Sequence, residues 1–279
     1  MNDTAPVATS DSDGREPAAK KEEGSFLAFL VKLVIAVVLF RTLLFTSFSI
    51  PSESMMPRLL VGDFLFASKW SYGYSGASLP IDWDSGEGRL FGSLPERGDV
   101  VIFKHPLDRT DYVKRVIGLP GDTVQMVDGV LVLNGQPVRK QRIADFVLPT
   151  TAERGCGPGR SEFTVDTAEG GFACRFPRFR ETLPGGVSYQ VLDLGVTDVD
   201  NTEPLIVPEG RVFMMGDNRD NSQDSRRDAV PNGWVGLVPV ENLVGKASFM
   251  FFSTDGSAEW LKPWTWFTAA RWDRIGRAI

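Results

Sequence analysis

The sequence predicts a mostly β protein behind one N-terminal transmembrane helix. Three observations predict it. A long apolar run stands near the N-terminus, from Phe26 to Ile50. Downstream, short apolar or alternating runs recur, each bounded by turn residues. The composition is that of a folded chain: 279 residues, 42% hydrophobic and 24% charged. That is too ordinary for a disordered, collagenous or disulfide-packed protein. It is long enough for a full core and two lobes.

Residues 1–25 read as a disordered cytoplasmic tail. They are rich in Ala, Asp, Glu, Ser, Thr and Lys, and Val7 is their one bulky aliphatic side chain besides Met1. Phe26–Ile50 is long enough to cross a bilayer, and a transmembrane helix is expected over 26–49. Its apolar residues run all the way round, which argues against a buried amphipathic helix. Lys32 lies near the start and can snorkel to the interface. Arg41 needs a headgroup or a protein partner. A cleavable signal peptide fits worse, because the leading segment is long and acidic and no A-x-A site follows the run. Arg15, Lys20 and Lys21 precede the span, whereas the near flank after it offers mainly Arg58. The positive-inside rule therefore puts the tail in the cytoplasm and the chain from about residue 50 outside.

The external part shows eight strand-like runs: 63–67, 99–103, 112–117, 123–127, 130–133, 188–192, 211–215 and 246–252. Arg97-Gly-Asp, Leu119-Pro-Gly-Asp, Asp128-Gly, Asn134-Gly and Pro208-Glu-Gly punctuate them. Short strands at this spacing suggest antiparallel sheets or a small barrel. The stretch from about 140 to 187 is poorer in strand signals and rich in Gly, Arg and Pro. It reads as an elaboration on the core, and no internal period is found. Cys156 and Cys174 would lie in an oxidising compartment. Both a disulfide closing the loop between them and two free, part-buried thiols fit the sequence.

Composition also excludes chemistry. There are 30 basic and 36 acidic residues, a net charge of −6. No basic surplus argues for nucleic acid as a partner. The single histidine, His105, is followed by proline and leaves little for a metal site or a Ser-His-Asp triad. No metal or cofactor is implied. An enzyme here needs another base.

Four segments could carry chemistry. In Ile50-Pro-Ser-Glu-Ser-Met-Met-Pro, Ser52 and Ser54 lie between Pro51 and Pro57, which leave few conformers and suit a fixed nucleophile. Alone, the segment reads more readily as a capped turn. In Asp111-Tyr-Val-Lys-Arg-Val-Ile, a strand would put Tyr112, Lys114 and Val116 on one face. Burial there would lower the lysine pKa toward neutrality. An isolated lysine can also blunt a sheet edge. Arg115 cannot act as a base, because guanidinium stays protonated. Gly216-Asp-Asn-Arg-Asp-Asn-Ser-Gln-Asp-Ser-Arg fails the EF-hand pattern. It reads as a solvated loop or as an internal network, with Asp224 pairing an arginine and a serine positioning a catalytic group. Near the C-terminus, Trp260, Trp264, Trp266 and Trp272 mix with Lys262, Arg271, Arg274 and Arg277. That suits a membrane interface or a packed terminal element.

The first three of these segments, with Gly62-Asp63 and Arg97-Gly-Asp-Val-Val-Ile-Phe between them, resemble bacterial type I signal peptidase (leader peptidase). Each box is weak alone; the ordered set across roughly residues 40–250 is specific. The resemblance implies a membrane-anchored serine endopeptidase with a Ser-Lys dyad. It implies two antiparallel β domains: a catalytic core over 50–122 and 207–279, and an inserted second domain over 123–206. Ser54 matches the nucleophile and Lys114 the general base. Ser52 matches the hydroxyl that helps the Ser54 N–H hold the oxyanion. Ser222 matches the serine that orients the lysine, and Asp224 and Arg226 match a supporting ion pair. Ile50, Met55, Tyr112 and Val113 match residues near the substrate, where small pockets would select small side chains at −3 and −1 by steric exclusion.

The resemblance also implies the partners: secreted preproteins with signal peptides, and membrane lipid, acting on a monomer with no nucleic acid. With one span, the N-terminus would be inside and the catalytic domain on the periplasmic or extracytoplasmic side of the cytoplasmic (inner) membrane. The physics makes one demand. A lysine at its ordinary pKa of about 10.4 would be neutral in under roughly one molecule in a thousand at pH 7. Lys114 therefore needs an apolar shell. Two rival readings remain on sequence: an inactive membrane-tethered β-rich binding or assembly protein on the same fold, and a self-cleaving repressor-type protease, which would need a DNA-binding half.

Overall fold

The computed structural model describes residues 19–78, 88–153, 155–259 and 261–279. The tail expected to be disordered lies outside the described residues as far as residue 18, and so does Trp260. The first element is a helix, α1, Ala19–Leu39, closed by a wider π turn over Phe40–Leu44. Across the helix and this turn, Ser25–Leu44 is apolar and long enough to cross a membrane, and none of it is buried. Met1–Phe40 and Arg41–Ile279 are separate compact units.

The expected span to residue 49 is corrected at its end. Phe45–Ser49 is not helix but the first strand, β1. It pairs antiparallel with β2 (Asp63–Ser68), from Phe45 opposite Ser68 to Ser49 opposite Phe64. Phe-Thr-Ser-Phe-Ser has the aromatic, polar and β-branched mix of a half-buried strand, and its apolar content merges with the span in one continuous run.

The remaining strands follow in order. They are β3 (Val100–Lys104), β4 (Asp111–Gly118), β5 (Thr123–Val127), β6 (Val130–Leu133) and β7 (Gln136–Pro137). Then come β8 (Arg139–Thr150), β9 (Thr164–Asp166), β10 (Phe172–Thr182) and β11 (Ser188–Leu192). Last are β12 (Leu205–Ile206), β13 (Arg211–Met215), β14 (Val238–Pro239) and β15 (Leu243–Ser253), with a short helix α2 at Trp264–Ala269. The fold is thus mostly β, as predicted. One seven-stranded sheet runs β1-β2-β15-β3-β4-β13-β14; a second runs β12-β5-β6-β7; a third runs β11-β10-β8, with β9 added on β10. All the named pairings are antiparallel.

The region read as poor in strands holds two long ones, β8 and β10. Most of β8 is exposed or half-buried, so little of it needs to be apolar. Pro177 interrupts β10 at the register shift between Phe176 and Arg178, which is where a sheet tolerates a missing N–H.

The core follows strand alternation. Leu65 and Ala67 of β2 face inward against Met55, Ile102 and Met250, while Phe64 and Phe66 take the other face. A second cluster joins Ile117 and Phe213 to Val124, Leu131, Leu133 and Val191. It crosses from the expected core segments into the expected insertion. Truncating Leu131, fully buried there, would cost on the order of 2–5 kcal/mol.

Two devices fix the loops. Cys156 and Cys174 are joined in a disulfide, and both are buried against Met56, Leu60, Phe176 and Leu192. Asp63 is fully buried. It accepts from Arg274 Nε (3.0 Å) and Nη2 (2.5 Å), from Ser253 Oγ (2.6 Å) and from the Leu60 N–H (2.7 Å). The C-terminal segment is therefore partly a packed element, seated on Asp63, while Trp264, Phe267 and Trp272 remain exposed.

Candidate active site

Two elements bring the predicted residues together. The segment after β1 carries Ser52 and Ser54, bracketed by Pro51 and Pro57. Beyond Ser54 it turns inward: Met55 and Met56 are buried, and the Leu59 N–H donates to the Met55 carbonyl at 2.9 Å. Strand β4 carries Lys114, opposite Val101 of β3. Lys114 Nζ lies 2.6 Å from Ser54 Oγ, across 60 residues of sequence. Both residues are buried, at 3% and 7% exposure. Ser52 is exposed, with its Oγ 3.4 Å from Ser54 Oγ. The Ser54 N–H has no acceptor among the described residues.

The lysine has the environment that the chemistry demands. Burial drives its pKa down from 10.5 to about 8. Asp224 and Asp217 push the other way, and Arg226 assists the fall. About a tenth of the side chains would then be neutral at pH 7.

Asp224 and Arg226 form a fully buried pair, Nε to Oδ1 at 2.8 Å and Nη2 to Oδ2 at 3.0 Å. Burial alone would raise the Asp224 pKa. Arg226, the Gly216 N–H and Lys114 outweigh it and hold the carboxyl below its ordinary value.

Ser222 is buried and lines the same cleft. Its Oγ has no hydrogen-bond partner among the described residues, so the expected orienting bond to Lys114 is not made here. Instead it packs on Gly216, where a Cβ would stand 2.2 Å from that hydroxyl.

The cleft, of about 860 Å3, is lined on its apolar side by Phe48, Ile50, Ile102, Tyr112 and Val113. Met55 is a correction. It was expected near the substrate, but its side chain is fully buried in the core and does not line the cleft. The helical turn that starts at Met55 points it inward against Leu59 and Leu65.

Other residues escaped the sequence reading. Arg115, set aside as no base, makes a buried bidentate pair with Asp217, at 2.7 and 2.6 Å. Arg219 grips Glu181 of β10 at 2.8 and 2.5 Å, and Tyr189 donates to the same carboxylate at 2.9 Å. The Asn218 N–H donates to the Ser54 carbonyl at 3.0 Å. These bonds tie the polar loop 216–226 to the serine segment and to the third sheet. The loop itself was visible as a motif; Glu181 had no local signal, since its partner lies 38 residues away.

Comparisons with known proteins agree on one family. The sequence model described as "Signal peptidase, peptidase S26" matches residues 24–252. The signal peptidase I of Rickettsia massiliae (strain Mtu5) is 37% identical over 246 residues, covering 85% of this chain and 80% of that protein. That of Rickettsia prowazekii (strain Madrid E) is 35% identical over 254 residues, covering 88% and 84%. A solved signal peptidase I from Enterococcus faecalis V583 covers 56% of this chain and 98% of its own, at 24% identity and a TM-score of 0.29. That last likeness is too loose to add to the reading.

Proposed function

Because this chain belongs to the signal peptidase family, peptidase S26, and is thus a serine peptidase of the type I signal peptidase kind, we propose that Ser54 is its nucleophile and Lys114 its general base. One observation carries the proposal: a buried lysine nitrogen 2.6 Å from a serine oxygen, with its pKa lowered by that burial. A serine hydroxyl is a poor nucleophile until a base takes its proton.

Neutral Lys114 takes the proton of Ser54 Oγ as that oxygen attacks the carbonyl carbon of the scissile peptide. The oxyanion rests on the Ser54 N–H and the Ser52 hydroxyl. The Lys114 ammonium then protonates the departing amine, which breaks the C–N bond. Neutral again, it takes a proton from water, whose oxygen attacks the acyl ester; the ammonium then returns that proton to Ser54 Oγ as the ester C–O bond breaks, which frees the serine and the neutral lysine. Ser222 orients the lysine once substrate is seated, and Asp224 with Arg226 supports that loop.

The substrate is the signal-peptide junction of an exported preprotein. Strand β4 pairs with β3 from Asp111 to Arg115, but with β13 only from Arg115 to Gly118. On the side away from β3, residues 111–114 have no strand partner among the described residues. An extended peptide laid along that edge would gain main-chain bonds and put alternate side chains toward Ile50 and Val113. Such pockets admit small residues at −3 and −1 and reject bulk by clash. Tyr112 forms the rim. The apolar helix anchors the enzyme in the cytoplasmic membrane as a single-pass monomer, N-terminus inside. The catalytic core, 50–122 and 207–279, and the insertion, 123–206, lie outside. Sharing a bilayer with the signal helix raises the local concentration of the cut site. The charge balance gives nucleic acid no role.

The test uses the full chain in detergent with a preprotein carrying Ala at −3 and −1. Ser54→Ala and Lys114→Met should each abolish cleavage while the fold survives. Normal cleavage by either variant would sink the dyad.

A further inference from the structure

One ion pair ends on the residue between the two active-site serines. Arg160 Nη2 lies 2.6 Å from Glu53 Oε2, and Asn221 Nδ2 donates to the same oxygen at 3.0 Å. The Glu53 carbonyl is held as well, by Asn218 Nδ2 at 3.2 Å and by the Met56 N–H at 3.0 Å. Both ends of Glu53 are thus tied, and with them the turn that presents Ser52 and Ser54.

Arg160 comes from the loop that the Cys156–Cys174 disulfide closes. The same two segments also meet through apolar packing, Cys156 and Cys174 against Met56 and Leu60. Gly157 completes the arrangement. Its φ is +96°, and a Cβ there would stand 2.5 Å from Arg160 Nη2, so the guanidinium folds back over a residue with no side chain. The paired side chains are 17% and 35% exposed. A pair that open to solvent adds little stability. What it fixes is where Glu53 stands.

We infer that Arg160 is a positioning residue for the reaction. Through Glu53, the disulfide-closed loop 156–174 holds the Ser52 hydroxyl and the Ser54 N–H where the oxyanion forms. The inference rests on the Ser54 reading given above. Donors aimed at the oxyanion act in the transition state and not in substrate binding. Deleting one outright costs about a hundredfold or more in turnover, so displacing the turn should cost about tenfold in kcat. KM should stay within about twofold. Arg160→Lys keeps the charge but not the planar fork and should recover part of the loss.

The experiment measures kcat and KM for the full chain in detergent with one preprotein, alongside the melting temperature of each variant. The set is Arg160→Ala, Arg160→Lys, Glu53→Arg, Arg160→Glu and the exchanged pair E53R/R160E. C156S/C174S is added with and without Arg160→Ala. Expected are a kcat loss for Arg160→Ala, and an exchanged pair faster than either of its single variants. A kcat loss for C156S/C174S should scarcely deepen when Arg160→Ala is added. An unchanged kcat for Arg160→Ala and Arg160→Lys, a change in KM alone, or strictly additive losses would overturn the inference. Ser54→Ala is run in parallel. If it still cleaves, the nucleophile reading fails; if it is dead while Arg160→Ala is unimpaired, only the positioning role fails.

Discussion

Gly216 lies against Ser54 so closely that a Cβ on it would stand 2.5 Å from the Ser54 carbonyl oxygen, as well as 2.2 Å from Ser222 Oγ. Two serines of the candidate site thus converge on a residue with no side chain. The carbonyl cannot retreat freely, because the Asn218 N–H donates to it at 3.0 Å. Gly216→Ala must therefore push the Ser54 segment, the Ser222 loop or both. A misplacement near 1 Å costs on the order of a hundredfold in rate, and that is the expected loss in kcat. Wild-type turnover in a folded Gly216→Ala enzyme would show that the contact does not set the geometry.

The pH dependence follows from Lys114. The proposed mechanism needs the neutral amine, so kcat/KM should rise with pH along a limb centred near 8. A limb centred near the ordinary lysine value of 10.5 would mean that burial does not tune the base. Asp224 raises the Lys114 pKa, so Asp224→Asn should move the midpoint to lower pH in whatever fraction folds. A pH–rate profile for both proteins reads this directly.

The same burial costs stability. The folded-state pKa, about 8, lies below the value of 10.5 for the free side chain. Between those two pH values the unfolded chain holds more protons than the folded one, so stability rises with pH across that window. At pH 7 the lowered pKa corresponds to a penalty of about 3 kcal/mol. Lys114→Met should remove it, giving a dead enzyme more stable at pH 7 by up to about 3 kcal/mol. Denaturant unfolding of both proteins at pH 7 and pH 10 tests this; a less stable Lys114→Met protein would contradict it.

Ser222→Ala separates a catalytic hydroxyl from a structural one. Its Oγ is buried without a partner, a state that costs about 1–3 kcal/mol. Deleting it should leave the melting temperature unchanged or raised while kcat falls about tenfold. Unchanged kcat would remove its orienting role, and a clear loss of stability would mean that the hydroxyl bonds to something in the resting enzyme.

Much of the site was legible in the sequence, for physical reasons. Pro51 and Pro57 bracket Ser54, and Lys114 stands in an apolar alternating run, but each alone also fits a turn serine or an edge lysine, and it is their place in the ordered set of motifs that singles them out. What escaped detection depends on distance or on shared composition. Glu181 meets Arg219 only through folding, from a strand whose neighbours are mostly arginines and phenylalanines. Phe45–Ser49 looks like membrane because an apolar run does not distinguish a bilayer from a sheet face. Met55 sits beside the nucleophile in sequence, but the helical turn beginning there sends its side chain into the core. Strands β8 and β10 stayed hidden because one face of each needs little burial.

Asp63 adds a constraint of timing. It lies nine residues after Ser54 and is fully buried, yet its guanidinium counter-ion, on Arg274, is 211 residues further along the chain. Until that stretch has been synthesised, the carboxylate beside the Ser54 segment lacks this counter-ion. The apolar helix can form early, but the base of the candidate site closes only when Arg274 arrives. The Ser54 segment therefore settles on its base only after a partner 211 residues beyond Asp63 has been made, so the candidate site is completed late in folding however early its serines and lysine are in place.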